Sequence, residues 1–356
     1  MGSMSRPTPA ERIAACLVYG ALGDALGADV EFDLWFQIRQ RYGPLGVVSF
    51  PFHARFTDDT QMTLFTCEGL IRARRLLDDP VVVQDEVFFA YLRWLVTQGD
   101  AWVHVPGAPA SPDGWLVAQS VLQVQRAPGL TCLSALRSHT PGTPEAPVND
   151  SKGCGGVMRA APAGFFATSL EEAVELGCAV AALTHGHPDG YYPAGFLAGV
   201  IWLLLAGVSL SRAVSEVSAL LASYPQAAGT LQAVSSAVAV GSPAMPNATQ
   251  LESLGGGWVG DEALAIALAC ALPVAGGSAD VSEALCAAVN HSGDSDSTGS
   301  ICGNLLGAEF GLWQVPASWL ESLEGFELVA LVAADVAAVR EGGPLSAEFG
   351  RRYPAA

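Results

Sequence analysis

Thr57-Asp58-Asp59-Thr60 is one of two short acidic stretches around which the rest of this chain can be arranged, and the other is Gly293-Asp294-Ser295-Asp296-Ser297-Thr298. Each places carboxylates beside hydroxyl side chains and runs directly into an apolar segment typical of a helix. A loop that enters a helix N-terminus lets oxygen ligands converge while the main chain stays hydrogen-bonded. Carboxylate and hydroxyl oxygens without imidazole or thiolate suit a hard divalent cation, Mg²⁺ or Mn²⁺, rather than zinc. We therefore expect the fold to bring the two stretches together.

Taken alone, each stretch has a simpler interpretation, because Asp and Thr at a helix start are commonly caps. The second stretch also imitates the start of an EF-hand loop, but its position twelve is Leu305 rather than a bidentate Glu. The first imitates the aspartate-rich motif of helical prenyl-diphosphate enzymes, but Met62 stands where the third Asp belongs. Both lookalikes fail, and the capping interpretation stays open.

The composition favours one large globular unit. The chain has 356 residues, of which 51% are hydrophobic and 15% charged, so it can bury a substantial core. Because the acidic stretches must meet and no linker divides the chain, we expect a single domain over residues 9–356. Residues 1–8 are interpreted as an expression-tag scar and a disordered start. The net charge of −18 and the lack of any basic run argue against direct nucleic-acid binding.

The cysteines and the apolar runs bear on where the protein resides. The eight cysteines form no C-x-x-C pair, and most lie within apolar segments. This pattern favours buried, reduced thiols in a cytoplasmic protein over a disulfide framework or a zinc site. No signal peptide is recognisable. The longest apolar stretch, residues 194–208, lacks basic flanks and is short for a membrane span, so we expect a buried helix and no membrane association.

Ala, Leu and Val dominate and strict alternation is rare, so the sequence predicts an all-α fold. A Gly/Pro-rich loop, residues 42–56, should deliver the first acidic stretch to a helix that follows it, and a long irregular segment, 104–151, is either functional or a plain connection. Three glycines in the first helix either let another backbone approach closely or loosen the helix. The other predicted helices are 9–26, 86–96, one near 116–125, 170–183, 194–206, 210–222, 230–239, 261–271, 281–289, 298–310 and 327–340.

Glu31 lies between Val30 and Phe32, so its carboxyl is in partly apolar company. Desolvation and a nearby cation can hold such a group ready for proton transfer. The alternative is a surface glutamate at a helix end.

A glycine-rich loop, Ser151-Lys152-Gly153-Cys154-Gly155-Gly156-Val157-Met158-Arg159, has a cationic residue near each end. Main-chain NH groups in such a loop can bind phosphate oxygens. The spacing differs from a P-loop, and a flexible turn with two solvated charges is the alternative. In Thr184-His185-Gly186-His187 the two imidazoles lack a third ligand, which makes a poor zinc site. We expect His185 to be a hydrogen-bonding residue near the site, or else an ordinary helix-end histidine.

Taken together and in this order, these pieces resemble the ADP-ribosylglycohydrolase family, which includes dinitrogen-reductase-activating glycohydrolase and the ADP-ribosylarginine hydrolases. The resemblance covers about residues 11–310. It implies a single compact multi-helix domain with a dinuclear Mg²⁺ or Mn²⁺ centre at the base of a cleft. The matching segments are G-A-L-G-D-A-L-G-A-D-V-E (20–31), F-T-D-D-T (56–60), S-K-G-C-G-G-V-M-R (151–159), T-H (184–185), G-G-G-W-V-G-D-E-A-L-A-I-A (255–267) and H-S-G-D-S-D-S-T (291–298).

The resemblance also implies roles for individual residues. Glu31 matches the glutamate that works beside the metals, and His185 matches a histidine near the bound ribose. Two positions depart from the family pattern: Ser297 stands where Thr is commoner, and Cys154 where Asn is usual. The implied metal ligands are Thr57, Asp58, Asp59, Asp294, Asp296 and Ser297. The implied substrate-binding residues are Ser151, Lys152, Gly153, Cys154, Gly155, Gly156 and His185.

The implied activity is hydrolysis that releases ADP-ribose from a modified protein or small-molecule conjugate. Two cations would orient the ribose hydroxyls and activate a water, and Glu31 would move protons. N-linked ADP-ribosylarginine is the first-choice substrate, and an O-linked, serine-type conjugate is the next. A non-catalytic binder of ADP-ribose or metal on the same frame is a further alternative. A metal phosphohydrolase of the His-Asp type is disfavoured because the chain has no His-Asp dipeptide.

Overall fold

The computed structural model describes residues 6–52, 54–73, 80–312, 314–343 and 345–354. Within these residues there is no β-strand, and strand-like pairing is limited to the isolated bridges Ala54–Leu323 and Gly153–Val259. The α-helices of these residues are α1 (Pro9–Gly27), α2 (Trp35–Tyr42), α3 (Asp58–Ala73), α4 (Pro80–Thr97), α5 (Leu130–Arg137), α6 (Ala163–Phe166), α7 (Leu170–Ala182), α8 (Pro188–Leu205), α9 (Leu210–Leu221), α10 (Ala228–Val240), α11 (Ala248–Glu252), α12 (Gly260–Ala275), α13 (Val281–Ala288), α14 (Ser295–Phe310), α15 (Ala317–Ser322), α16 (Phe326–Glu341) and α17 (Ala347–Arg352). The all-α prediction is confirmed.

Most of the long helices begin and end within a few residues of their predicted bounds. The segment 116–125 is an exception, since it forms two 3₁₀ turns, Leu116–Ala118 and Ser120–Leu122, instead of an α-helix. Only Leu116 and Leu122 of these turns are buried. A continuous helix would therefore lack the buried apolar face that stabilises helices in proteins. The predicted helix 194–206 begins earlier, at Pro188, because the His187 side chain caps it and proline fits its first position. The short helices α2, α5, α6, α11, α15 and α17 were not predicted.

Helices α1 and α14 pack against each other along most of their length, and glycines line the contact. A Cβ atom on Gly23 would overlap the main-chain carbonyl of Gly299, and one on Gly303 would overlap that of Tyr19. Asn304 ties the same contact by donating a hydrogen bond to the Cys16 carbonyl at 2.9 Å. The glycines of α1 therefore serve close backbone approach rather than loosening. The N-terminus of α14 is held beside the C-terminus of α1.

Helix α3 lies inside the molecule, and every one of its residues is buried. Polar side chains on its inner surface are paired with α4: Trp94 donates to Gln61 at 3.1 Å, and Thr66 lies 2.7 Å from the Tyr91 hydroxyl. Glu68 accepts from Arg93 at 2.8 Å with both groups fully buried. These contacts fix the direction in which α3 presents its first turn.

The segment after residue 310 carries no recognised motif but belongs to the same core. Helix α16 packs against α1 and α3. Arg352 of α17 forms an ion pair with Asp335 of α16 at 2.6 Å and lies over the ring of Trp115. The C-terminal helices thus brace the helices that carry the acidic residues.

All eight cysteines lie in the described residues as free thiols; Cys154 is half-buried and the other seven are buried. Among the described residues, no α-helix combines the length and the apolar character that crossing a bilayer requires. Residues 194–205 of the longest apolar stretch lie in α8 and are mostly buried, whereas Ala206 and Gly207 follow the helix and are exposed.

Candidate metal centre and substrate cleft

Asp24 of α1 organises the first acidic stretch. Its carboxylate accepts hydrogen bonds from the main-chain NH of Thr57 at 2.8 Å, from the NH of Thr60 at 2.9 Å and from the Thr60 hydroxyl at 2.5 Å. Thr57 directly precedes α3 and Thr60 lies in its first turn, so Asp24 caps that helix from another element. Asp58 and Asp59 are therefore not needed as caps, and their carboxylates are available for other ligands.

The second acidic stretch forms the first turn of α14 and is held from two sides. Asp294 caps the helix by accepting from the NH of Ser297 at 3.2 Å, so the capping interpretation holds for this residue. Its own NH donates to the Gly256 carbonyl at 2.8 Å, which ties it to the 255–257 loop. Asp296 accepts from the same Ser297 NH at 3.0 Å.

Four aspartates from the two helices, Asp58, Asp59, Asp294 and Asp296, are each no more than 4% exposed. Burial, followed by the charge of Asp296, raises the pKa of Asp58, Asp59 and Asp294 well above the ordinary value. The Oδ1 atom of Asp59 is buried without a hydrogen-bond partner. Clustered, desolvated carboxylates with an orphaned oxygen lack a positive counterpart, which is the environment that a divalent cation satisfies.

The chemistry of these donors fits a hard cation, since the acidic groups are oxygen ligands flanked by the hydroxyls of Thr57 and Ser297. Among the described residues, no three His, Cys, Asp or Glu side chains stand close enough to enclose an ion by themselves. Mg²⁺ is usually held by only one or two carboxylates, with substrate oxygens and water completing its shell. The arrangement therefore suits cations that are shared between protein, water and substrate.

Glu31 lies just after α1, in a turn closed by the hydrogen bonds Val30 NH to Gly27 carbonyl and Asp33 NH to Val30 carbonyl, both 2.9 Å. The turn aims the carboxyl at the aspartates. Burial, and then the charges of Asp296 and Asp294, raise the pKa of Glu31 to about 10. The same charges would be neutralised by cations, which would favour the Glu31 carboxylate again.

A cleft of about 660 Å³ opens beside these carboxylates. Its walls come from three further segments: the loop and helix start 125–133, the glycine-rich loop, and Phe32 with Trp258 at the rim. The rings of Phe32 and Trp258 stack with centroids 5.6 Å apart, and both side chains are exposed. A second cavity, of about 560 Å³ and lined by Tyr191, Tyr192 and Tyr224, contains none of the predicted site residues.

The glycine-rich loop is pinned to the segment that carries Trp258. The NH of Cys154 donates to the Trp258 carbonyl at 3.1 Å, and the NH of Gly153 donates to the Ser151 hydroxyl at 3.3 Å. Two of the NH groups expected to face phosphate are thus used inside the protein. A Cβ on Gly155 would lie 2.9 Å from the Cys132 sulfur and 3.0 Å from the His185 ring, so glycine is required for the close approach here. The loop shapes the cleft wall more than it presents a row of free NH groups.

Cys154 joins this loop to the acidic cluster. Its thiol donates to Asp294 Oδ2 at 2.7 Å and lies 3.8 Å from the Ser297 hydroxyl. Burial, and then the Asp294 charge, raise the pKa of the Cys154 thiol well above its usual value, which keeps it protonated as a donor. A thiol at this position therefore does the same hydrogen-bonding work for Asp294 that an amide NH₂ could do.

The predicted site residues do not all reach the cleft. Ser151 contacts the Thr131 hydroxyl at 3.2 Å just outside it, Lys152 is exposed, and Gly156 is buried behind the loop against Gly190. Thr57 faces the neighbouring depression and the Asp59 carboxylate. The predicted residues that do line the cleft are Glu31, Asp58, Asp59, Gly153, Cys154, Gly155, His185, Asp294, Asp296 and Ser297.

Several contributors had not been assigned a role from the sequence. Asp24 could have been recognised as a carboxylate in the apolar, glycine-rich second half of α1, where a buried charge needs hydrogen-bond partners from another segment. The Asp58 carboxylate accepts from the NH of Gly129 at 3.1 Å, which shows that the long irregular segment is part of the site. No local pattern singles out Gly129, and Trp258 lies in the matching segment 255–267 without a role assigned to it, because only packing brings both residues to the cleft.

Comparisons with known proteins agree with this architecture. A model of the ADP-ribosylglycohydrolase family matches residues 5–345. ADP-ribosylhydrolase ARH3 of Mus musculus is 28% identical over 208 residues, covering 51% of this chain and 56% of that protein, and the Homo sapiens protein is 27% identical over the same length. The match thus spans a little over half the length of these curated relatives.

Among solved structures, an "ADP-ribosylglycohydrolase-related protein complex" superimposes with a TM-score of 0.61 at 23% identity, covering 93% of this chain and 99% of that one. At this identity the likeness concerns the fold alone. The family match extends over nearly the whole chain and includes both acidic stretches. The chain belongs to the ADP-ribosylglycohydrolase family.

Proposed function

We propose that this protein hydrolyses the bond between ADP-ribose and a modified acceptor, with N-linked ADP-ribosylarginine as the preferred substrate. The observation that carries the proposal is the convergence of two acidic helix starts, α3 and α14, with Glu31 at one cleft of about 660 Å³. A cleft of this size matches a nucleotide-sized ligand.

Thr57, Asp58 and Asp59 from α3, with Asp294, Asp296 and Ser297 from α14, are the residues that would hold divalent cations. When bound, such cations supply positive charge that orients hydroxyl groups and lowers the pKa of water. The protein has a net charge of −18, so its aspartates would repel an anionic substrate. Bound cations would offset that repulsion and let the ribose end of the substrate approach the aspartates. Mg²⁺ and Mn²⁺ both suit the donor set.

Glu31 is assigned to proton transfer. It takes a proton from the attacking water as the water oxygen bonds to the anomeric carbon, and it delivers a proton to the acceptor atom as the glycosidic bond breaks. General acid–base catalysis of this kind contributes about 10²–10⁴-fold. Without cations, burial and then the charges of Asp296 and Asp294 raise the pKa of this carboxyl to about 10, and bound cations would lower it again toward the range in which the carboxylate can accept a proton.

The rim of the cleft supports an arginine acceptor. Phe32 follows Glu31 directly, and its ring stacks with Trp258 at the mouth. A planar guanidinium stacks well on an aromatic face and is attracted by surrounding carboxylates. An arginine attached to the ribose would therefore find both a flat surface and negative charge as it leaves.

An O-linked, serine-type conjugate is the second candidate. An alkoxide leaving group needs a proton more than a guanidine does. Glu31 lines the cleft together with the aspartates, so the proton that it takes from the attacking water can be delivered to the departing oxygen.

A substrate panel tests the proposal. Arginine-, serine- and aspartate-linked ADP-ribose peptides should be incubated with the protein and Mg²⁺ or Mn²⁺, and free ADP-ribose measured. We expect fastest release from the arginine peptide, loss of release after chelation, and restoration by either ion. Faster release from the serine peptide would replace the first candidate with the second.

A matched pair of variants tests the role of Glu31. Glu31→Gln keeps the shape and removes the titrating group, so the single-turnover rate should fall by about 10²–10⁴-fold with ADP-ribose affinity largely retained. Glu216→Gln, on the exposed face of α9, should leave the rate unchanged. ADP-ribose binding without release from any peptide, in the parent protein, would indicate the non-catalytic binder instead.

A further inference from the structure

Arg159 is a fully buried guanidinium at the end of the glycine-rich loop. It donates to the Thr184 hydroxyl at 2.6 Å and to the Val180 carbonyl at 3.3 Å, and it lies 4.4 Å from the centroid of the Tyr91 ring. Within the described residues it forms no ion pair with a carboxylate. A guanidinium is charged at any pH at which the protein is folded, so a permanent positive charge lies behind the cleft wall.

The direction of the hydrogen bond from Arg159 to Thr184 determines the direction of the hydrogen bond between Thr184 and His185. Because Arg159 can only donate, the Thr184 oxygen is an acceptor toward it, and the Thr184 hydrogen is left to donate elsewhere. His185 Nδ1 lies 2.8 Å from that oxygen. The Cys132 sulfur is also in contact with this hydroxyl, but sulfur is a weaker acceptor than an imidazole nitrogen. The Thr184 hydroxyl therefore donates its hydrogen bond to Nδ1 of His185, which is the acceptor.

The charge state of His185 completes the assignment. Burial, and then the charge of Arg159, lower the pKa of His185 to about 3, so the imidazole is neutral at physiological pH. A neutral imidazole carries one NH. If Nδ1 accepts, that NH is on Nε2.

The Nε2 atom faces the cleft. A Cβ on Gly153 or on Gly155 would lie 3.3 Å from it, and both glycines line the cleft together with His185. An NH that points into a cleft selects an oxygen acceptor, such as a hydroxyl or a phosphate oxygen. The opposite tautomer would present a lone pair, which repels such oxygens.

We propose that Arg159 and Thr184 are positioning residues that lock His185 in its Nε2–H tautomer and so make it an obligatory hydrogen-bond donor to the substrate. The two hydrogen bonds from Arg159 to Thr184 and from Thr184 to His185 thus let a buried guanidinium, which does not itself contact the cleft, fix the position of an NH donor in the cleft. The choice of ADP-ribose as the molecule that supplies the oxygen rests on the proposed function. The tautomer itself does not.

Nuclear magnetic resonance of ¹⁵N-histidine-labelled protein reads the tautomer directly, with His185→Gln identifying the signal. We expect an unprotonated Nδ1, a protonated Nε2 and no titration of His185 between about pH 5 and 8. Thr184→Val keeps the shape but removes the hydroxyl, so Nδ1 should gain proton occupancy and ADP-ribose affinity, measured by calorimetry, should fall on the order of tenfold. Thr184→Ser retains the hydroxyl and should keep the parental tautomer.

A third variant tests the charge. Arg159→Gln should raise the pKa of His185 toward its ordinary value, because the nearby positive charge is lost. If that variant does not fold, the Thr184 pair still decides the question. An Nδ1–H tautomer in the parent, or an unchanged tautomer in Thr184→Val, would overturn the proposal. The parental tautomer without any ADP-ribose binding would count against the proposed function alone.

Discussion

Asp24 illustrates how a single buried carboxylate can set up a site in which it is not a ligand. Three donors from the first turn of α3 converge on it. Burial, and then repulsion from Asp296, raise its pKa to about 7, whereas the hydrogen bonds from Thr60 and Thr57 lower the pKa and so favour the carboxylate. By capping α3 from α1, it frees Asp58 and Asp59 and fixes the direction of both.

Removing this cap should weaken cation binding as well as folding. We expect Asp24→Ala to lower the free energy of unfolding by about 1–2 kcal/mol or more, because a cap is lost in a buried setting. The affinity for Mn²⁺, measured by calorimetry, should fall because Thr57 to Asp59 are no longer held.

Asp280→Ala is the matched control. Asp280 caps α13 by accepting from the NH of Glu283 at 2.8 Å, and it lies at the surface away from the acidic cluster. Its loss should cost stability of the same order, about 1 kcal/mol, without changing Mn²⁺ affinity. Equal Mn²⁺ affinity in folded Asp24→Ala and in the parent would remove the organising role from Asp24.

At the scale of elements, the contact between α1 and α14 is the decisive one. It places Asp24, in the last turn of α1, and Glu31, in the turn that follows, next to Asp294 and Asp296 at the start of α14. Glycines at the crossing let the two backbones approach more closely than any side chain would permit. The separation between the two acidic stretches therefore depends on residues that carry no functional group.

A single methyl group at this crossing should disturb both stability and the site. In Gly303→Ala the added Cβ meets the Tyr19 main chain, which cannot move aside as a flexible side chain would. We expect the free energy of unfolding to fall by about 1–3 kcal/mol or more, with weaker Mn²⁺ binding. Chemical denaturation and calorimetry measure the two effects.

Gly350→Ala provides the comparison within a helix that has space. No atom lies within 4 Å of a Cβ placed there, and Gly350 is part of α17. This change should leave stability equal or raise it by about 0.5–1 kcal/mol, since alanine favours the helix. If Gly303→Ala behaved like Gly350→Ala, the close crossing would not matter for the fold.

At the scale of the whole molecule, the acidic site works against folding until it is compensated. The chain has a net charge of −18, and five carboxyls, including Glu31, are gathered in or beside one cleft. A ligand that binds only the folded state stabilises it by an amount that rises with the logarithm of ligand concentration above the Kd, about 2.7 kcal/mol at one hundred times the Kd. Divalent cations should therefore act as structural ligands as well as cofactors.

The melting temperature tests this expectation. After chelation, added Mg²⁺ or Mn²⁺ should raise the melting temperature, and the rise should continue with the logarithm of the ion concentration above the Kd, whereas Na⁺ at equal ionic strength should have no such effect. Asp296→Asn should reduce the Mn²⁺-dependent shift, because one carboxylate of the cluster is lost. Identical melting with and without Mg²⁺ and Mn²⁺ would contradict a cation centre.

The sequence by itself determined the helical class, the bounds of most long helices and many, though not all, of the residues that line the cleft. Helical periodicity and composition are local properties, so they can be read from the sequence. The residue types of the acidic stretches likewise indicate oxygen ligands for a cation. The family resemblance ordered those stretches into one site. The short helices and the 3₁₀ turns could not be predicted from the sequence, because their stability comes from the segments that they pack against.

Only the tertiary structure decided how these residues act together. The cap that Asp24 gives to α3, the bond from Gly129 to Asp58 and the stacked rim of Phe32 and Trp258 all join segments far apart in the chain. The proton on His185 likewise depends on Arg159, which reaches it through Thr184. Such contacts arise from packing over long sequence separations, so no local pattern encodes them, and they set direction, protonation and distance at the site.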